Sequence, residues 1–169
     1  MSRTIVVAIS QNSTDAFLAS ALDTARRCDA HILAVHIVDL TPCLTGMGEH
    51  LDYGMIAGAM EESGRETLAR AMRILEGNQR GAQARMLTSP LSGSTIGRQI
   101  AAVCDAAGAE RVLLGVRKPG WWRFMNEDVA ATVQRQTSTS VQIVVNTRCA
   151  PGLHRALQSH RHQRSGWVR

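Results

Sequence analysis

The chain has 169 residues, of which 44% are hydrophobic and 20% charged. That is the size of one globular domain, two at most, and the composition excludes a disordered chain. Four cysteines exclude a disulfide-dense scaffold, and no apolar run reaches the roughly 18–20 residues of a membrane span.

The net charge of +5 is unevenly placed. Residues 150–169 carry Arg155, Arg161, Arg164 and Arg169 and no acid, while residues 1–149 hold 15 basic and 14 acidic residues, a net of +1. The reading divides the chain into a near-neutral domain, 1–149, and a basic tail, 150–169, expected to be a flexible extension. The charge therefore does not mark a basic, nucleic-acid-binding body. The opening run TIVVAI is too short for a signal peptide, so a cytoplasmic protein is expected.

Residues 4–9, TIVVAI, are β-branched and apolar and predict a buried strand of the parallel kind. From Ser13 to Cys28 the period becomes helical: Phe17, Leu18, Ala21, Leu22 and Ala25 share a stripe, with Ser13 or Thr14 as N-cap. HILAVHIV, 31–38, predicts a second strand and completes a right-handed βαβ unit. Residues 40–58, with four glycines and a proline, read as a loop with at most a short helical piece.

A helix follows over 59–77, with Met60, Leu68, Ala71, Met72 and Leu75 as its core candidates and Gly77 near its end. Gln83–Leu87 predicts a short edge strand. Ser94 or Thr95 opens a helix carrying Ile96, Ile100, Val103 and Cys104 that ends at Gly108. RVLLGV, 111–116, is a fourth strand, Asp128–Gln136 a short helix, and Val141–Val145 a fifth strand. This alternation predicts a three-layer α/β sandwich with a mainly parallel sheet, Rossmann-like in plan. In such folds ligands bind beyond the carboxyl ends of the strands, here the loops after Ile9, Val38 and Leu114.

Two blocks carry a resemblance: TIVVAISQNSTDAFLASALDTARRCDAHILAVHIVD, and AAGAERVLLGVRKPGWW with VAATVQRQTSTSVQIVV after it. Over about residues 3–146 the chain resembles a universal stress protein domain. The resemblance implies a five-stranded parallel sheet of order 3-2-1-4-5 and, in many members, a homodimer paired through the last strand. It also implies one branch that binds ATP and another that does not. The ATP-binding branch carries Gly-x2-Gly-x9-Gly-Ser/Thr after the fourth strand. Its glycines let the backbone approach the phosphates, and the final pair opens a helix whose N–H groups face the anion.

Carried over residue by residue, the nucleotide pocket comprises Ala8, Ser10, Val38, Leu114, Gly115, Arg117, Lys118, Gly120, Glu127, Asp128 and Val129. Three places depart from the ATP-binding pattern. Ser10 stands where an aspartate is usual. Lys118 stands at the second glycine, with Gly120 two residues on. Glu127 and Asp128 replace Gly-Ser/Thr, and the spacing to Val129 is one residue short. Two carboxylates suit a helix dipole but repel a triphosphate. Like charges about 4 Å apart oppose each other by roughly 4 kcal/mol at an effective dielectric of about 20.

The expectation is thus a degenerate nucleotide pocket, with Asn126 capping the helix and Glu127 and Asp128 in its first turn. No cofactor is assigned, and ATP or another adenine nucleotide is disfavoured. The opposing reading is an ATP/AMP-binding switch in which a metal bridges Glu127 or Asp128 to the phosphates, with Lys118 or Arg123 offsetting charge.

Other chemistry is weaker. Trp121 and Trp122 either fill the loop's own pocket or stack on a base. Cys28, Cys43, Cys104 and Cys149 lack metal-site spacing, and no metal site is expected. His36 reads as a satisfied core residue, His31 as surface and His50 as loop. Ser10, Ser13, Asp15 and His36 lack a nucleophile elbow, and no catalytic turnover is expected. LSGSTIG, 91–97, lacks the Lys-Ser/Thr of a phosphate loop and reads as a turn into a helix.

In the tail, His154, His160, His162 and Trp167 beside the arginines give a second alternative, contact with nucleic acid or an acidic protein, weakened by salt. The predicted role is a stress-response binding or regulatory protein with no membrane partner. It is expected to form a homodimer through Val141–Val145, whose apolar edge would otherwise invite aggregation.

Overall fold

The computed structural model describes residues 3–40, 52–89, 94–115 and 128–144. Strand β1 (Arg3–Ile9) leads through helix α1 (Asp15–Arg27) to β2 (Ala30–Asp39), and helix α2 (Tyr53–Leu75) leads to β3 (Ala82–Ser89). Helix α3 (Ile96–Ala106) precedes β4 (Arg111–Gly115), and α4 (Val129–Gln136) precedes β5 (Ser140–Val144). All four pairings are parallel and the sheet order is β3-β2-β1-β4-β5. This is the order that the family resemblance implied.

The pleat of β1 sorts its side chains between two cores. Ile5, Val7 and Ile9 pack with Phe17, Leu18 and Ala21 of α1 and Leu68, Ala71 and Leu75 of α2. Val6 faces the opposite core, with Ile100, Val103 and Cys104 of α3 and Val133 of α4. Both faces of the central strands are thus covered, which is why TIVVAI reads as a continuous apolar run rather than an alternating one. Each fully buried Leu, Ile or Phe contributes about 1.5–3 kcal/mol against its exposed state.

The helix ends follow from side-chain chemistry. Thr14 caps α1, its hydroxyl accepting from the Phe17 N–H at 3.2 Å, and Thr95 caps α3 by accepting from Arg98 N–H. Helix α3 closes in a Schellman turn: Ala109 N–H bonds the Cys104 carbonyl and Gly108 N–H the Asp105 carbonyl, with Gly108 at φ +56°. Helix α2 begins at Tyr53, six residues before the sequence reading placed it. Asp52 Oδ1 accepts from the N–H groups of Gly54 (2.9 Å) and Met55 (3.3 Å), so a cap converts the end of the expected loop into helix. Strand β3 is an edge strand as expected, but runs from Ala82 to Ser89. Among the described residues no helix is long and apolar enough to cross a membrane.

Candidate functional site

Each helix of a parallel β-α-β unit returns antiparallel to the strands, so the N-termini of α1, α3 and α4 lie at the carboxyl end of the sheet. Strand order reverses between β1 and β4, and Ala8 of β1 pairs in register with Leu114 of β4. Ala8 is half-buried, and Val38 and Leu114 are buried. Gly115 is exposed at the end of β4, and a Cβ there would lie 3.8 Å from the Phe17 ring. Ala8, Ser10, Val38, Leu114 and Gly115 therefore share the carboxyl end of the three central strands.

The first rim is the turn from β1 into α1. Ser10 N–H donates to Ser13 Oγ (2.9 Å), Ser13 N–H donates to the Ser10 carbonyl (2.9 Å), and the two hydroxyls are 3.3 Å apart. Ser10 thus folds onto its own turn where the resemblance places an aspartate facing the ligand. Three further groups hold this turn. His36 Nδ1–H donates to the Ile9 carbonyl (2.9 Å), Arg70 Nη2 donates to the Ser13 carbonyl (2.9 Å), and Gln11 Nε2 donates to Ser63 Oγ (3.3 Å).

His36 is the satisfied core residue expected, at 5% exposure, with its Nδ1 on a backbone carbonyl. Arg70, Gln11 and Ser63 were not singled out in the sequence. Their partners lie across the fold, and periodicity carries no signal for such a contact. Gly64 was missed as well. A Cβ there would come within 2.9 Å of Val38 Cγ2 and 3.0 Å of His36 Cδ2, so glycine lets α2 lie directly on the end of β2.

The second rim is the N-terminus of α4. Asp128, exposed, is its N-cap: φ −76° and ψ 91° leave it outside the helix, and Oδ1 accepts from Ala131 N–H at 3.0 Å. The expected cap, Asn126, gives way to Asp128, because the helix starts at Val129 and a carboxylate one residue before it reaches the third amide. Val129 is half-buried against the α3–α4 core. Arg117, Lys118, Gly120, Glu127, Trp121, Trp122 and Arg123 lie outside the described residues.

The remaining candidates are separate from this end. His31 Nδ1 is 3.1 Å from the Arg80 carbonyl, where a ring N–H donates. Cys28 is half-buried. Cys104 is buried, and burial, then the nearby Asp105 charge, pushes its thiol up to about 11, so it is a neutral thiol at physiological pH. Cys43, His50, Cys149, Trp167 and the tail histidines lie outside the described residues.

A parallel five-stranded sheet with a switch point between β1 and β4, two rims and a glycine at the end of β4 sets the comparison with known proteins. The model of the universal stress protein family matches residues 1–145. The chain belongs to the universal stress protein family.

Among solved members, this universal stress protein is similar to one from Archaeoglobus fulgidus: 23% identity, 85% of this chain, 98% of the other and a TM-score of 0.57. The Archaeoglobus fulgidus protein in complex with dAMP gives 24%, 83%, 96% and 0.54. The UspA of Lactobacillus plantarum gives 14%, 84%, 97% and 0.63. At these identities the likeness establishes the fold. No curated protein matches the chain in sequence.

Proposed function

We propose that this universal stress protein is a non-catalytic, cytoplasmic binding protein of the stress response whose nucleotide pocket is altered on its phosphate side. The observation that carries the reading is Asp128. Its carboxylate caps α4 by taking the Ala131 N–H, at the position where the family's ATP binders open this helix with Ser or Thr. A helix N-terminus that would favour a phosphate is already served by the chain's own anion. Glu127 adds a second acid beside it in sequence.

The base side of the pocket is less changed, with Val38, Ala8 and Leu114 supplying apolar strand ends. The Archaeoglobus protein has been solved with dAMP, an Arabidopsis thaliana family protein with AMP, and a further universal stress protein with cAMP. These support adenine-nucleotide chemistry as the reading for this chain. Here the reading favours a ligand of low negative charge, a nucleoside before a monophosphate and a monophosphate before ATP.

Isothermal titration with adenosine, AMP and ATP, each with and without magnesium, tests it. Affinity that falls as phosphates are added supports the reading; low-micromolar ATP affinity or magnesium-dependent ATP turnover overturns it. The proposal includes a homodimer through the edge of β5, where Val141 and Val144 lie on the last strand. Sedimentation showing only monomer at micromolar concentration contradicts that part.

A further inference from the structure

The other edge of the sheet carries a different surface. Ile32 N–H bonds the Gly81 carbonyl, and Ile32 pairs in register with Ala82. In a parallel ladder this turns the amides of Gln83, Arg85 and Leu87 toward β2 and those of Ala82, Ala84, Met86 and Thr88 outward. No strand of the described residues lies beyond β3. Beside this edge, between β3 and α3, runs an open groove of about 320 Å3, lined by Arg85, Leu87, Gln99, Ala102, Val103 and Ala106.

The groove exists because α3 turns two small residues one helical turn apart, Ala102 and Ala106, toward β3. Gln99 is held at one end by Ser89 Oγ, 2.8 Å away. Arg85, exposed, is the single charged group in the lining. It makes no ion pair with any described residue.

We propose that the edge of β3 and this groove receive an extended, acidic segment of a partner protein as a sixth strand. Its backbone continues the ladder, an apolar side chain rests on Leu87, Val103 and the two alanines, and a carboxylate meets the Arg85 guanidinium. Charge selects this occupant over two others. The chain's own residues 150–169 carry four arginines and no acid, so they bring like charge to Arg85. A second copy pairing β3 with β3 brings AQARMLTS, with its arginine and no acid, against itself. The inference is independent of what the nucleotide pocket binds.

Selection from a random peptide library on the full chain tests it. Binders with alternating apolar residues and at least one Asp or Glu are expected. Arg85→Glu, at an exposed position, weakens them about tenfold or more and turns the selection toward basic peptides, whereas Arg85→Lys retains binding. Ala102→Trp fills the groove and blocks them, with an unchanged melting profile. Hydrogen exchange then slows at Ala82, Ala84, Met86 and Thr88 when a peptide is bound.

Failure to select binders, binders without acids, or protection elsewhere overturns the proposal. Self-association of the chain that Arg85→Glu changes assigns the edge to a second copy and overturns it too. Crosslinks from residues 150–169 into the groove assign it to the tail, with the same consequence.

Discussion

The two rims at the carboxyl end of the sheet differ in how they are built. The β1–α1 rim closes on itself. Ser10 turns onto Ser13, and His36, Arg70 and Gln11 tie the turn to β2 and α2. The α4 rim presents an acid, with Asp128 exposed at a helix N-terminus. The first arrangement costs the fold little, because the Ser10 N–H and both serine hydroxyls find partners within the turn. The second is neutral for the helix, since aspartate and serine cap about equally well, but reverses the charge that an anionic ligand would meet. On the proposed function, packing holds the fold while ligand preference resides in a few exposed residues of the two rims.

The largest disturbance removes the core beneath the first rim. Phe17 is 1% exposed, and its ring lies beneath Gly115. Phe17→Ala is expected to destabilise the chain by about 3–5 kcal/mol in urea unfolding. The comparison would break if nucleotide affinities were unchanged in that variant, because the first rim would then not depend on the core beneath it.

Gly64→Val acts on the first rim alone. Its Cβ meets Val38 and His36 at 2.9–3.0 Å, so α2 must shift off β2. The expected loss is about 1–3 kcal/mol, with faster hydrogen exchange in the Ser10–Thr14 turn. Arg70→Ala is milder. It removes the donor to the Ser13 carbonyl, and a loss of about 1 kcal/mol in thermal unfolding is expected. A stability change as large as that of Gly64→Val would mean that the turn is held chiefly by this one bond.

Much of the architecture is legible in residue order. TIVVAI and HILAVHIV declare buried parallel strands because both their faces are covered, and Thr14 and Thr95 sit where caps are expected. The sheet order came from the family resemblance, since strand alternation alone leaves it open. The start of α2 was not legible: Gly54 and Gly58 lower helix propensity, and only the Asp52 cap, seen in three dimensions, shows that the helix begins there. The shift of the α4 cap from Asn126 to Asp128 is of the same kind, because adjacent polar residues can all cap and the starting backbone geometry decides among them.

Ala8, Val38 and Leu114 do lie near the carboxyl ends of β1, β2 and β4. The ties of the first rim were not legible, because Arg70 and Ser13 are 57 residues apart and Gln11 and Ser63 are 52 apart. Such contacts follow from how α2 crosses the sheet, which no local pattern encodes.

The α4 rim gives the smallest change in stability and the sharpest change in chemistry. In Glu127→Gly with Asp128→Ser, the serine keeps the cap, so stability is expected to stay within about 0.5 kcal/mol, while two negative charges leave the phosphate side. Titration calorimetry of ATP into the native chain and into this variant is the most direct test. The account predicts no low-micromolar ATP affinity for the native chain and a gain of about tenfold or more in the variant. Low-micromolar ATP binding by the native chain, unchanged by the two substitutions, would contradict it.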